Sequence, residues 1–239
     1  MHTKVLDYIY KSKRNKEKLL AILLDPDKIE LDVLPLTVKK ITNANLIFVG
    51  GSLLFKNVFD EFVKIVKENT NLPVVLFPSN AIQISNNADT ILFLQLISGR
   101  NPEYLIGNQV IAAPLLKQTD LEVISTGYLL IESGRETTAS YISNTKPIPA
   151  HKPEIAMATA MAGEFIGNKL IYMDGGSGAL NSIPINFIKK VADNINVPLI
   201  IGGGLKTKEE IESVFNAGAT VVVVGTAFEN DIDLLEKLD

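Results

Sequence analysis

Residues 198–227 read PLIIGGGLKTKEEIESVFNAGATVVVVGTA. The stretch holds two apolar runs, Pro198–Gly202 and Thr220–Gly225, around a helical segment, Thr207–Ala217. Thr207 followed three residues later by Glu210 is a capping-box start, and Gly218 stands where a helix C-cap belongs. The Val and Ile runs show no polar alternation, so each strand is buried on both faces, as in a parallel sheet. This is a strand–helix–strand unit in which each strand ends on glycine.

Outward from this unit the pattern repeats. Six more β-rich runs precede it: Leu20–Asp25, Leu46–Gly50, Pro73–Phe77, Thr90–Ile97, Tyr128–Glu132 and Leu170–Asp174. Further helical stretches fall at Asn57–Glu68, Pro153–Ile166 and Pro184–Asn194. Alternating strands and helices build either a closed barrel or an open doubly wound sheet. A count of eight favours a (β/α)8 TIM barrel, as do chemistry-bearing residues at the C-terminal ends of strands along the whole chain; an open sheet would gather them at one switch point. No linker divides the 239 residues, so 1–239 reads as a single TIM-barrel domain, with 1–18 an amphipathic N-terminal helix before the first strand. Pro78 to Thr90 leaves little room for a full third helix. The long connections between the fourth and fifth strands, and over Ser133–Lys152, read as active-site loops.

Composition narrows the function classes. Hydrophobic residues make up 46% and charged residues 21%, enough for a large core, and the net charge of −4 gives no general pull toward nucleic acid or anionic lipid. With no cysteine, disulfides, thiolate metal sites and thiol nucleophiles are excluded. The start lacks a signal-peptide core, and no apolar run reaches the roughly 18 residues of a membrane span. The expectation is a cytoplasmic protein without stable membrane insertion.

The strand ends carry the chemistry. The sixth strand runs into Asp174-Gly175-Gly176-Ser177-Gly178, the seventh into Gly202-Gly203-Gly204 and the eighth into Gly225-Thr226. Glycine lets backbone amides approach an anion, and barrel loops after strands seven and eight often hold a phosphate. The plain alternative is three tight βα turns. Asp25-Pro26-Asp27-Lys28 ends the first strand and Gly50-Gly51-Ser52 the second. A carboxylate and a hydroxyl on adjacent loops suit Mg2+, which prefers hard oxygens and bridges substrate phosphates. Alternatively Asp25 or Asp27 caps a helix beginning near Ile29; for Asp27 the cap is the preferred reading. Asp174 is placed either to accept a proton from a substrate hydroxyl or to order its own loop. Tyr172 reads equally as a barrel-interior residue. Glu132 and Arg135 either steer a diphosphate or pair with each other. His2 and His151 fall in a tail and a loop, and no histidine metal pattern, Ser-His-Asp order or dinucleotide fingerprint stands out.

Together LLDPDK (23–28), VGGS (49–52), FPSN (77–80), YLLIESGRETT (128–138), KPEIA (152–156), YMDGGSGA (172–179), IGGGLKT (201–207) and VVGTAFE (223–229) resemble the geranylgeranylglyceryl phosphate synthase family over nearly the whole chain. The resemblance implies a modified TIM barrel without a regular third helix. It implies a Mg2+-dependent prenyltransferase that joins the C3 hydroxyl of sn-glycerol 1-phosphate to a polyprenyl diphosphate, geranylgeranyl among them, and releases diphosphate. It places Mg2+ on Asp25 and Ser52. It places glycerol phosphate on Tyr172, Met173, Asp174, Gly175, Gly176, Ser177, Gly178, Gly203, Gly204, Gly225 and Thr226, with Asp174 and Tyr172 in the catalytic roles, and it suggests homo-oligomers. One departure is that many members carry Glu where this chain has Asp174, so the base is one methylene shorter. An isoprenoid tail needs an apolar trough; Phe93, Leu94, Leu96, Tyr104 and Leu105 are candidates, though each alone reads first as barrel core. The competing readings are a metal-free sugar-phosphate isomerase or lyase on the same cradle, and an idle barrel that only binds phosphorylated lipid precursors.

Overall fold

The computed structural model describes residues 4–225. Eight parallel strands close into one barrel in sequence order: β1 (Leu19–Leu24), β2 (Leu46–Val49), β3 (Val74–Leu76), β4 (Thr90–Leu96), β5 (Glu122–Leu130), β6 (Leu170–Asp174), β7 (Leu199–Gly202) and β8 (Val221–Val224). The seam is β8 against β1, with Leu19 opposite Val221 and Ile22 opposite Val224. The helices are α1 (Val5–Asn15), α2 (Leu34–Lys39), α3 (Phe59–Glu68), α4 (Asn108–Leu116), α5 (Thr138–Ser143), α6 (Pro153–Phe165), α7 (Ile185–Ala192) and α8 (Lys208–Asn216). A π-helical turn, Glu103–Gly107, leads into α4.

The apolar runs are explained by two cores. Along each strand one parity faces the barrel interior and the other the helical shell. Leu19, Ala21, Leu46, Phe48, Leu170, Tyr172, Val221 and Val223 belong to the inner cluster. Leu20, Ile22, Ile47, Ile171, Met173 and Val222 belong to the outer one, with Phe62, Phe187 and Val214 from the helices. The lower end is closed by α1, whose Val5 and Ile9 join the inner cluster. Glu122 fixes that plug by accepting the backbone N–H of Val5 at 2.7 Å and of Leu6 at 3.3 Å, a carboxylate at a helix N-terminus.

The expected capping box of α8 forms: Glu210 N–H donates to Thr207 Oγ1 and Thr207 N–H to Glu210, both at 3.2 Å. The degenerate third helix is also as expected, since no helix lies between β3 and β4. Three expectations are corrected. β5 begins at Glu122, six residues before Tyr128, because its polar first half (Glu122, Ser125, Thr126) is satisfied by α1, by Asn168 and by backbone carbonyls. The connection from β4 to β5 is not an open loop but the π turn and α4. No helix begins at Ile29; α2 starts at Leu34.

Candidate active site

The upper end of the barrel opens on a cavity of about 260 Å³. Every strand-end loop of β1, β2, β6, β7 and β8 named above reaches it, through Asp25, Gly51, Ser52, Tyr172, Asp174, Gly176, Ser177, Gly178, Gly203, Gly204 and Gly225. Its other side is apolar, with Ile84, Phe93, Leu94, Leu96, Tyr104 and Ala112 among its walls. This trough runs beside β4 and α4, next to the segment between β3 and β4 that carries no helix. The structure therefore brings the polar strand ends and an apolar trough into one continuous space.

Asp174 is the best-held group in it. Strand parity turns it inward, 7% exposed. Tyr128 Oη donates to its Oδ2 at 2.6 Å, and Gly176 N–H donates to Oδ1 at 2.8 Å. Burial pushes its carboxyl above the usual aspartate range, while these two donors oppose the rise. Burial, reinforced by the nearby carboxylate, raises both tyrosine hydroxyls well above theirs. Tyr128 and Tyr172 face each other in register and meet edge to face at 5.4 Å, and Phe77 stacks on Tyr172 at 4.9 Å. The two alternatives for Asp174, base or loop-orderer, are thus not exclusive: one carboxylate orders Gly176 and still faces the cavity.

The glycines that follow β7 are structurally required. Gly203 and Gly204 have φ of +88° and +77°. A Cβ on Gly203 would lie 2.7 Å from Asp174 Oδ1, and one on Gly204 would lie 2.8 Å from the Asn181 carbonyl. Gly178 serves a neighbour instead, since Arg135 Nη2 would sit 2.5 Å from its Cβ. Arg135 therefore lies over the β6 loop, while Glu132 accepts the Ala150 N–H at 3.0 Å. Met173 is a correction: its side chain is fully buried in the outer core, because the residue between two inward ones must point to the helices. Gly175 and Leu105 also stay out of the cavity lining. Thr226 and His2 lie outside the described residues, and His151 is exposed in its loop.

On the opposite side, Asp25 lies against Gly51, where a Cβ would come within 2.8 Å of its Oδ1. The same oxygen accepts the Asp27 N–H at 3.1 Å, and Lys28 Nζ stands 3.6 Å from Oδ2. Asp27 is no helix cap; it accepts the N–H groups of Phe55 and Lys56 and so ties the β2 loop to the β1 loop. Among the described residues no three His, Cys, Asp or Glu converge as a metal cage. Asp25 and Ser52 are instead a pair of hard oxygen donors on adjacent loops. Such a set fits an ion that keeps water and takes substrate phosphate as its other ligands.

Sequence reasoning did not single out Tyr128, which lines the cavity and donates to Asp174. Its signal was available: a tyrosine in a buried run needs a partner for its hydroxyl, and Asp174 supplies one. Phe77, Lys206 and Gln109 also line the cavity. Gln109 donates from Nε2 to the carbonyls of Leu94 and Tyr104, binding α4 to the trough wall.

The model of the PcrB family matches residues 12–238. The chain belongs to the PcrB family. This PcrB-family chain is 50% identical over 231 residues to a geranylgeranylglyceryl phosphate synthase of Flavobacterium johnsoniae, covering 96% of the chain and 95% of the relative. It is 46% identical to the enzyme of that name in Chitinophaga pinensis, over all of the chain and 95% of the relative. Among solved structures, (S)-3-O-geranylgeranylglyceryl phosphate synthase of Thermoplasma acidophilum, in complex with substrate sn-glycerol-1-phosphate, superposes with a TM-score of 0.92. It is 30% identical, with 99% of this chain and 96% of that one covered. A thiamine phosphate pyrophosphorylase of Pyrococcus furiosus, at 14% identity and a TM-score of 0.56, shares the fold alone.

Proposed function

We propose that this PcrB-family protein is a prenyltransferase. It joins the C3 hydroxyl of sn-glycerol 1-phosphate to a polyprenyl diphosphate, geranylgeranyl diphosphate by likeness to its relatives, and releases diphosphate. The observation that carries this reading is the single cavity in which a glycine-lined anion cradle, a buried carboxylate and an apolar trough meet. A sugar-phosphate isomerase or lyase needs the cradle but has no use for the trough.

In this reading the amides of Gly203, Gly204 and Gly225 hold the glycerol phosphate, as barrel strands seven and eight commonly do. Tyr172 and the β6 loop orient the glycerol, and Asp174 accepts the proton of the attacking hydroxyl. Because the cradle fixes one substrate and the trough the other, the reacting groups meet as if within one molecule. Tyr128 and the Gly176 N–H keep Asp174 aimed while it remains an acceptor. Asp25 and Ser52 would hold Mg2+, which when bound neutralises charge on the departing diphosphate. Lys28 and Lys206 line the same mouth and add positive charge there. A homo-oligomer, which the resemblance in sequence suggests, is part of this proposal.

A coupling assay with glycerol 1-phosphate and a ladder of prenyl diphosphates, with and without Mg2+, tests the reading. Ether product that requires Mg2+ is the expected result; no product from any donor sinks it.

A further inference from the structure

Two apolar side chains at the open end stand exposed on turns whose main chain is hydrogen-bonded. Phe55, after β2, is 85% exposed. The main chain beneath it is pinned, because its N–H and that of Lys56 donate to the Asp27 carboxylate at 2.8 and 2.9 Å. Ile82, in the segment between β3 and β4 that lacks a helix, is 77% exposed. Its N–H donates to Asn80 Oδ1 at 3.0 Å and its carbonyl accepts the Ile84 N–H at 2.9 Å. These turns follow neighbouring strands. Asp60, near the start of α3, secures the second by accepting from Ser85 Oγ at 2.5 Å and Asn87 Nδ2 at 3.1 Å. Both turns also build the cavity: Gly51 and Ser52 line it just before Phe55, and Ala81 and Ile84 flank Ile82.

We propose that Phe55 and Ile82 insert into the interface of a lipid bilayer and seat the cavity mouth against it. The inference rests on the prenyl-transfer reading, in which donor and product both carry a tail that partitions into membrane. The shape of the surface decides the occupant. A stable contact with a second copy buries about 800 Å² on each partner, usually over a broad face. Two projecting tips offer far less, whereas a bilayer receives isolated aromatic and aliphatic side chains. The attraction rests on the two apolar tips: Lys56 beside Phe55 is paired with Glu30 at 2.6 Å and the net charge is −4. Any pull of Lys28 and Lys206 at the mouth on anionic lipid is what the phosphatidylglycerol arm below reads.

The test is flotation of the full chain with phosphatidylcholine vesicles, with and without phosphatidylglycerol. The wild type is expected to float with both and to remain bound in high salt. Phe55→Ser with Ile82→Ser should lower the bound fraction roughly tenfold. Coupling from a short, freely soluble prenyl donor should be unchanged in the double variant, and coupling from a vesicle-borne donor reduced. Wild type that stays unbound, or a double variant that floats equally, overturns the proposal. So does a double variant that changes only its mass by light scattering, which would make the tips a contact between copies. Vesicle binding lost in the variant with no coupling in either protein would leave docking standing and defeat the prenyl-transfer reading instead.

Discussion

At the scale of single residues, Asp174 carries two opposed influences: burial raises its pKa, and Tyr128 and Gly176 hold it down. A base must be ionised, so kcat should rise with pH through an acid limb above the ordinary aspartate range. Tyr128→Phe removes a donor that favours the carboxylate, so that limb should move to higher pH with little change in the KM for glycerol phosphate. Asp174→Asn should lower kcat by roughly a hundredfold or more, the scale of lost general-base help. An unshifted limb in Tyr128→Phe would assign the tyrosine to packing alone. Gly204→Val meets both a positive φ and the Asn181 carbonyl, so it should raise the KM for glycerol phosphate far more than that for the prenyl donor. Equal effects would remove the cradle assignment. Asp25→Asn should keep the melting temperature and lose activity that high Mg2+ partly restores; loss of folding with unchanged Mg2+ dependence would contradict it. Asp174 and the glycines were visible in the sequence because strand ends announce themselves by composition. Tyr128 was not singled out because its partner lies 46 residues away, on another strand.

At the scale of elements, legibility followed which force holds each segment. Strands buried on both faces are dominated by apolar burial, and Leu46–Val49 or Leu170–Asp174 could be placed from apolar runs alone. The first half of β5 is held by specific hydrogen bonds that no local pattern reveals, so it read as connection. The segment of α4 was obscured by Pro114 within it and by the π turn before it. Its buried face, Gln109, Ala112 and Leu116, is visible only once the trough is known. Glu122 offers a direct test of such a bond. Glu122→Ala removes the carboxylate from two N–H groups at the start of α1 and should cost about 1 kcal/mol of unfolding free energy. Urea denaturation measures this, and a change within error would mean that Val5 and Ile9 seat the helix unaided.

At the scale of the whole molecule, eight strand ends gather residues from Asp25 to Gly225 around one mouth, so the site is a property of the closed barrel and of no shorter piece. That much followed from the number and spacing of the apolar runs. What the trough admits did not, because it depends on how β4, the π turn and α4 pack against one another. The plug of α1 has a kinetic consequence. With the lower end sealed, both substrates and both products pass through the upper end, and the two substrate sites share one chamber. Turnover should therefore require both reactants aboard before anything departs. Initial-rate plots against one substrate at fixed levels of the other should give intersecting lines, whereas a parallel set would mean that diphosphate escapes before the acceptor arrives and that the enzyme waits between visits carrying the prenyl group itself.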